Sequence, residues 1–294
     1  MGKITELLKK KKVLASDGAW GTLLQARGLE AGGCPESWNL THPDEVLQIA
    51  KAYIDAGADM IETNSFGGSR FKLKHYGLES QVTEINRKAA ELSRIAAGKD
   101  HFVIGSVGPT GKILMTGEVS EEELYEAFKE QCIALAEGGA DAIVVETMSD
   151  IDEARIAVRA AGENTTCEII CTMTFEKTAT GEYRTMMGYS ATDMVTALKN
   201  EKIDIMGANC GNGIEGMIAI VNEIRASEKN IPVLIHANAG IPEYKDGKTI
   251  FPETPQQMAG FIPSLVKAGA NIIGGCCGTT PEHIRLISGM LKTL

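Results

Sequence analysis

The sequence predicts an α/β chain folded as one (β/α)8 barrel (a TIM barrel), with its working site at the C-terminal face. Three observations carry this expectation. Eight short apolar, β-rich runs alternate with segments of helical periodicity along the chain, the pattern of a parallel sheet wound with helices. A phrase recurs at the junctions: Ala56-Gly57-Ala58-Asp59-Met60-Ile61, Gly138-Gly139-Ala140-Asp141-Ala142-Ile143 and Ala268-Gly269-Ala270-Asn271-Ile272-Ile273. Each reads as a glycine-terminated helix, a tight turn and a buried strand. No Pro/Ser-rich linker or shift of composition divides the 294 residues, so one domain over 1–294 is expected. Eight βα units without a dinucleotide fingerprint favour the closed barrel over a doubly wound open sheet.

The elements follow in order. Residues 1–14 carry an amphipathic helical pattern without a secretory apolar stretch. Strands are expected at 13–19, 60–66, 102–109, 142–148, 168–175, 203–210, 232–239 and 271–278. Helices are expected at 44–56, behind a Thr-His-Pro-Asp entry, at 79–97, and at 120–137, where Ser120-Glu121-Glu122-Glu123 reads as a capping box. Further helices fall at 150–161, 191–199, 214–226, 255–267 and 281–294. The longest irregular stretches, 19–43, 67–77 and 176–189, all follow strands. In a parallel barrel they therefore sit at the C-terminal face, where function is built.

Composition narrows the function. With 44% hydrophobic and 23% charged residues the chain is an ordinary globular one, and its formal charge is −10. That balance argues against nucleic acid or an anionic membrane as partner, since both select for basic patches. The only dense basic run is Lys9 to Lys12, and no stretch approaches the roughly 18 apolar residues of a membrane span. A cytoplasmic location is expected, and there the seven cysteines are reduced core residues, metal ligands or nucleophiles.

Polar and sulfur residues cluster at the strand C-termini: Asp17, Glu62, Asn64, Ser106, Glu146, Cys210, His236, Asn238, Cys276 and Cys277. Strands six and eight flank strand seven, which brings Cys210 near the Cys276–Cys277 pair. Neighbouring residues in a regular strand face opposite ways, but Gly274, Gly275 and Gly278 permit the irregular backbone that turns both sulfurs to one side. Three thiolates form a zinc triad with a fourth position left open, the catalytic pattern. Such an electron-rich centre suits deprotonation of a substrate thiol better than activation of water. The chemistry expected is attack by a thiolate on an electrophilic carbon. Two further features suit a small amino acid. Asp17-Gly18-Ala19-Trp20-Gly21-Thr22 places a carboxylate before a turn whose N–H groups suit a carboxylate ligand, and Glu146 is placed to accept from an ammonium. Either acid alone also reads as a structural acceptor, and His236 as a satisfied barrel histidine. Cys34, Cys132, Cys167 and Cys171 read as core filler. The glycines after strand eight also suit a phosphate, although no Lys or Arg stands beside them.

The motifs Asp-Gly-Ala-Trp-Gly-Thr (17–22), Glu-Thr-Asn-Ser-Phe (62–66), Gly-Ala-Asn-Cys-Gly (207–211), Asn-Ala-Gly-Ile-Pro (238–242) and Gly-Gly-Cys-Cys-Gly-Thr-Thr-Pro-Glu-His-Ile (274–284) resemble those of the zinc-dependent homocysteine S-methyltransferases. The likeness is greatest to the homocysteine-binding module of cobalamin-dependent methionine synthase, and it extends over essentially the whole chain. It implies zinc held by Cys210, Cys276 and Cys277, with homocysteine sulfur in the fourth position. It implies that the Asp17 loop, with Gly21 and Thr22, and Glu146 hold the amino-acid end of the substrate, with Asn64 and Ser106 at the same site. It also implies that Asn238 approaches zinc when no thiol is bound. Gly-Thr-Thr after the cysteine pair is similar to the branch using methylcobalamin, donated by a separate corrinoid protein. The S-methylmethionine branch more often has Arg at the position of Gly278, and betaine is a third donor in the family. The folate, cobalamin and reactivation domains of the full synthase are not expected in these 294 residues. Cys210-Gly211-Asn212-Gly213 departs from the longer synthases, and those glycines are expected to widen the mouth, admitting a different thiol. A binding module without catalysis is the alternative of another class.

Overall fold

The computed structural model describes residues 3–245 and 248–294. Eight parallel strands form the central sheet: β1 (Leu14–Ala15), β2 (Met60–Glu62), β3 (Phe102–Val107), β4 (Ala142–Met148), β5 (Glu168–Met173), β6 (Ile205–Gly213), β7 (Val233–Asn238) and β8 (Ile272–Gly275). Their order is β1-β8-β7-β6-β5-β4-β3-β2, a nearly closed (β/α)8 barrel. All eight expected strands are present. The expectation overran at the first two, where ladder pairing stops after two and three residues. Burial continues there through Ala19 and Ser65, but the backbone leaves the ladder to build the mouth. The sixth instead runs on to Gly213 through a register shift after Asn209.

The recurring junction phrase has a physical function. Its acidic or amide residue grips one residue of the neighbouring strand by both backbone groups. The N–H of Asp59 donates to the Ala15 carbonyl while its carboxylate accepts from the Ala15 N–H. Asp141 does the same to Val103, Asp204 to Ile169 and Asn271 to Val233. Arg94 braces Asp141 and the Gly139 carbonyl, and Arg225 braces Asn271 and the Gly269 carbonyl. Asp204, outside the three recognised repeats, shows that the device needs a side-chain acceptor oxygen at that place but not the preceding glycine.

Strand alternation then divides the barrel interior into levels. The lower level is apolar, with Leu14, Met60, Ile104, Val144, Ile170, Ile205, Leu234 and Ile272 drawn from every strand. Ile4 and Leu8 of the N-terminal helix, Ile4–Lys11, plug this end. The free N–H groups of Ile4 and Thr5 are capped by the Glu168 carboxylate. Two residues further along the strands the inward positions become polar: Glu62, Ser106, Glu146, Thr172 and His236, all buried.

The surrounding helices lie close to their expected spans. Glu121–Glu137 begins with the expected Ser120 capping box, and Val82–Ala97, Pro255–Ala268 and Pro281–Leu291 follow the periodic pattern. The loops after the strands hold small elements that periodicity does not reveal. These are the helix Gly21–Ala26, the hairpin pairing Glu176–Lys177 with Tyr183–Arg184, and another pairing Glu243–Lys245 with Lys248–Ile250. No helix among the described residues is long and apolar enough to cross a membrane.

Asp141→Ala strips the Val103 N–H and the Arg94 guanidinium of their shared acceptor. It is expected to lower unfolding free energy in urea by about 1–3 kcal/mol, with a smaller loss for Asp141→Asn, which keeps an acceptor.

Candidate active site: a thiol cluster beside a carboxylate-lined cavity

The mouth of the barrel encloses a cavity of about 380 Å³. On one side the strand ends present three thiols. Cys276 Sγ lies 3.1 Å and Cys277 Sγ 3.7 Å from Cys210 Sγ. The facing problem posed by adjacent cysteines is resolved by the strand's end. β8 stops at Gly275, so Cys276 and Cys277 belong to the following turn and owe nothing to strand alternation. The turn is pinned where Cys276 N–H donates to the Ala237 carbonyl, the Ala239 N–H to the Cys277 carbonyl, and Thr279 Oγ1 to the Cys276 carbonyl. Gly278 has φ +81°, and a Cβ there would lie 2.1 Å from Phe251 Cγ. Cys210 itself has φ +58°, unusual for a non-glycine residue. That twist lies within the register shift of β6.

The three thiols do not share protons equally. Hydrogen bonding to Cys210 and Cys277 pushes the Cys276 thiol well above its ordinary value. Hydrogen bonds from Cys210 and Cys276 hold Cys277 far below it. One thiolate is therefore supported by its two neighbours, and full ionisation of all three requires a cation among them. Tetrahedral thiolates about 2.3 Å from a zinc ion stand roughly 3.8 Å apart. The 3.7 Å separation is close to that spacing and the 3.1 Å one is tighter, with all three sulfurs within 4.8 Å of one another; Asn238 Oδ1, 3.3 Å from Cys210 Sγ, adds an oxygen donor beside them.

The same cavity is lined by acidic groups. Glu146 receives the hydroxyl of Ser106 on one oxygen and the amide of Asn209, at 3.2 Å, on the other. Glu62 lies beside His236, with Oε1 3.3 Å from Nδ1, and neither Glu62 Oε1 nor His236 Nε2 has a hydrogen-bond partner. Burial raises the Glu62 carboxyl to about 8, with the nearby Cys210 adding to the effect. Burial also raises Glu146 well above the usual carboxylate range, reinforced by Glu62, and lowers His236. Among the described residues no Lys or Arg lines the cavity.

Among the expected site residues, Gly21, Thr22, Asn64, Ser106, Glu146 and the three cysteines all line this cavity. Gly21 and Thr22 open a helix, so their N–H groups are among those without an intrahelical partner. Thr22 Oγ1 is buried and likewise unpaired. Asn64 reaches the wall, but its amide donates to the Pro35 carbonyl and to Asn39. Asn238 stands at the thiol cluster. Asp17 lies apart: fully buried, it accepts from the Glu62 N–H at 2.9 Å and the Trp20 indole at 3.0 Å. Burial, with Glu62 adding, raises its carboxyl to about 7.

One expectation is corrected. Gly211 and Gly213 do not widen the mouth; neither lines the cavity. Gly211 has φ +69°, and a Cβ there would lie 2.4 Å from the Phe175 carbonyl oxygen; one at Gly213 would lie 2.4 Å from Glu253 Oε1. The left-handed backbone and the nearby Phe175 carbonyl demand the first, and packing against the Glu253 side chain, not substrate room, occupies the space at the second. Several wall residues were not singled out from sequence. Glu36 sits in a short 3-10 turn without periodic signal, its carboxylate accepting from the Gly67 N–H. Thr147 follows Glu146 at φ +58°; Asn209, which does not itself line the cavity but donates to Glu146, precedes Cys210. Adjacency to Glu146 and Cys210 was the available signal for those two.

An eight-stranded barrel with three thiols and a carboxylate pocket at the C-terminal mouth defines a barrel enzyme built around sulfur chemistry. Residues 14–291 match the family described as homocysteine S-methyltransferase, and the chain belongs to that family of methyltransferases. It is 31% identical over 312 residues to methionine synthase of Mycobacterium tuberculosis, covering 99% of this chain and 26% of that protein. The counterpart from Mycobacterium leprae is 31% identical over 306 residues, covering 97% and 25%. The chain thus spans about a quarter of the length of these relatives. Among solved structures, the metallated homocysteine methyltransferase MmuM from Escherichia coli superposes with a TM-score of 0.80 at 25% identity, covering 97% of this chain and 98% of that one. The carboxyl transferase domain of Rhizobium etli pyruvate carboxylase, at 15% identity and TM-score 0.53 over 99% of this chain and 51% of that one, shares the fold alone.

The buried acid makes stability depend on pH. The folded Glu62 carboxyl keeps its proton to about pH 8, whereas an unfolded one releases it near 4.5. Its folded state is therefore progressively disfavoured as pH rises from about 4.5 to 8. In metal-free protein, Glu62→Gln is expected to lose less thermal stability than wild type between pH 5 and 8. Parallel curves would mean that Glu62 is ionised throughout.

Proposed function

We propose that this chain is a zinc-dependent S-methyltransferase that transfers a methyl group from methylcobalamin, presented by a corrinoid protein, to the sulfur of homocysteine, giving methionine. The reading is carried by the Cys210–Cys276–Cys277 cluster, which lines a cavity whose wall also offers acceptors for an ammonium. Zinc bound by the three thiolates supplies the acidity that ionises a substrate thiol while leaving its sulfur nucleophilic.

The chain's own groups hold the rest of the substrate. Glu146 accepts the ammonium, whose positive charge draws the carboxyl back toward ionisation in a pocket without Lys or Arg. The first-turn N–H groups of Gly21 and Thr22, with the unpaired Thr22 hydroxyl, receive the carboxylate. Ser106 steadies Glu146, Asn64 shapes the wall, and Asp17 acts indirectly by holding the Trp20 loop and the Glu62 backbone. Asn238 keeps its oxygen beside the thiols when no substrate is present. A new S–CH3 bond forms as the methyl carbon leaves its carrier, with the bonding electrons remaining on that carrier.

Gly278 favours the corrinoid donor. Its left-handed backbone and the Phe251 ring against it leave no room for the arginine of the S-methylmethionine branch. Met115, Met186 and Ile241 are exposed on segments that follow strands, where a macromolecular donor would meet apolar side chains.

Wild-type protein is expected to carry about one zinc per chain, and Cys210→Ala to lose it. Zinc-edge absorption should gain a sulfur scatterer when homocysteine is added. Cys276→Ala should cut turnover with methylcobalamin by more than the roughly 100-fold typical of a residue that merely supports a metal. Metal-free protein from a zinc-replete, reducing preparation would overturn the mechanism; zinc binding without turnover would point to a binding module.

A further inference from the structure

We propose that Asn209 is a positioning residue: its side-chain amide aims the Glu146 carboxylate at the substrate ammonium and ties that carboxylate to the backbone carrying Cys210. The inference rests on the reading of Glu146 as the ammonium acceptor. A primary amide has two hydrogens to give and two lone pairs to fill, and every one is used here although the residue is fully buried. Asn209 Oδ1 accepts from the Thr147 N–H at 2.8 Å and from the Thr172 hydroxyl at 2.7 Å. Nδ2 donates to Thr147 Oγ1 at 2.7 Å and to Glu146 Oε2 at 3.2 Å. The orientation of the amide is fixed by chemistry. The Thr147 N–H can only donate, so the oxygen must face it and the nitrogen must face the carboxylate.

The backbone on both sides of this link is strained. Among the described residues only Lys12, Thr147 and Cys210 are non-glycine residues with positive φ. Two of the three are the residues that directly follow Glu146 and Asn209. A left-handed conformation is especially unfavourable for a β-branched residue such as Thr147, and it persists only where surrounding contacts over-determine it. Asn209 supplies two of those contacts, to the Thr147 N–H and hydroxyl. The twist at Thr147 coincides with the register shift of β4, where Glu146 leaves the regular ladder. The twist at Cys210 coincides with the register shift of β6. The amide therefore reaches across β5 from one irregularity to the other, joining the residue that carries a thiol to the residue that meets the ammonium. Ser106 holds the other oxygen of Glu146, so both carboxylate oxygens are fixed by neutral donors.

A plain structural staple and a positioning group predict different kinetics. Asn209→Asp keeps acceptors for the Thr147 N–H and Thr172 hydroxyl but has no amide hydrogens for Glu146. The test compares homocysteine with 4-mercaptobutanoate, which lacks only the amino group, alongside zinc content. The expected result is a KM for homocysteine raised at least about tenfold, a KM for 4-mercaptobutanoate within about twofold of wild type, and unchanged zinc per chain. Glu146→Gln, run in parallel, should discriminate between the two thiols in the same direction. If Glu146→Gln discriminates and Asn209→Asp does not, the positioning role is overturned while the ammonium reading stands. If Glu146→Gln shows no discrimination, the ammonium reading falls and this inference with it. Equal losses on both thiols, or loss of zinc, in Asn209→Asp would mark Asn209 as a staple only and overturn the proposal. To keep folding from deciding the result, the comparison is repeated in a Thr147→Gly background, where glycine adopts the left-handed backbone without help.

Discussion

Between β1 and β2 the two backbone groups of Ala15 are taken by one residue, Asp59, and a little further up the Glu62 N–H is taken by the Asp17 carboxylate. These contacts close the ring where the regular ladder is missing. Asp17 also accepts the Gly275 N–H through its own carbonyl, so β8, the chain leaving β1, and β2 meet at a single residue. Gly275 immediately precedes the cysteine pair, and Glu62 forms the cavity floor. Closure of the barrel and placement of the site are thus the same constraint at this point.

The rest of the site follows from how a parallel barrel fills its interior. Side chains that alternate inward form an apolar plug at one level, and two residues later the same strands offer polar groups that water reaches only through the mouth. Three carboxyl groups and three thiols, mostly buried and without a facing Lys or Arg, are costly to ionise together. Protons, a bound metal or a substrate ammonium relieve that cost. The pocket consequently favours positively charged partners at two places, the thiol cluster and the acidic wall.

Much of this was legible in the residues. Apolar runs, helical periodicity and the Ala-Gly-Ala-Asp phrase gave strand number and order because local patterning and a repeated turn report the fold directly. Cys210, Cys276 and Cys277 were legible as a group because barrel order places the sixth and eighth strands around the seventh. Less legible was the division of labour among the acids. Asp17 and Glu146 look alike in sequence, each a carboxylate near a strand end. Glu146 faces the cavity and Asp17 is spent on a backbone N–H and an indole, a difference set by the path of the backbone at the strand ends.

Sequence by itself determined the alternation of elements, the chemistry available at the strand ends and the family to which those motifs belong, since these depend on residue type and spacing. Tertiary structure alone decided that Gly211 and Gly213 serve close packing instead of substrate room, that the strand ends before its cysteine pair, and that Asn209 uses its whole amide to join Thr147, Thr172 and Glu146. Each of these depends on contacts between segments far apart in sequence. Its geometry comes from register shifts and left-handed residues, which leave no periodic trace in the chain.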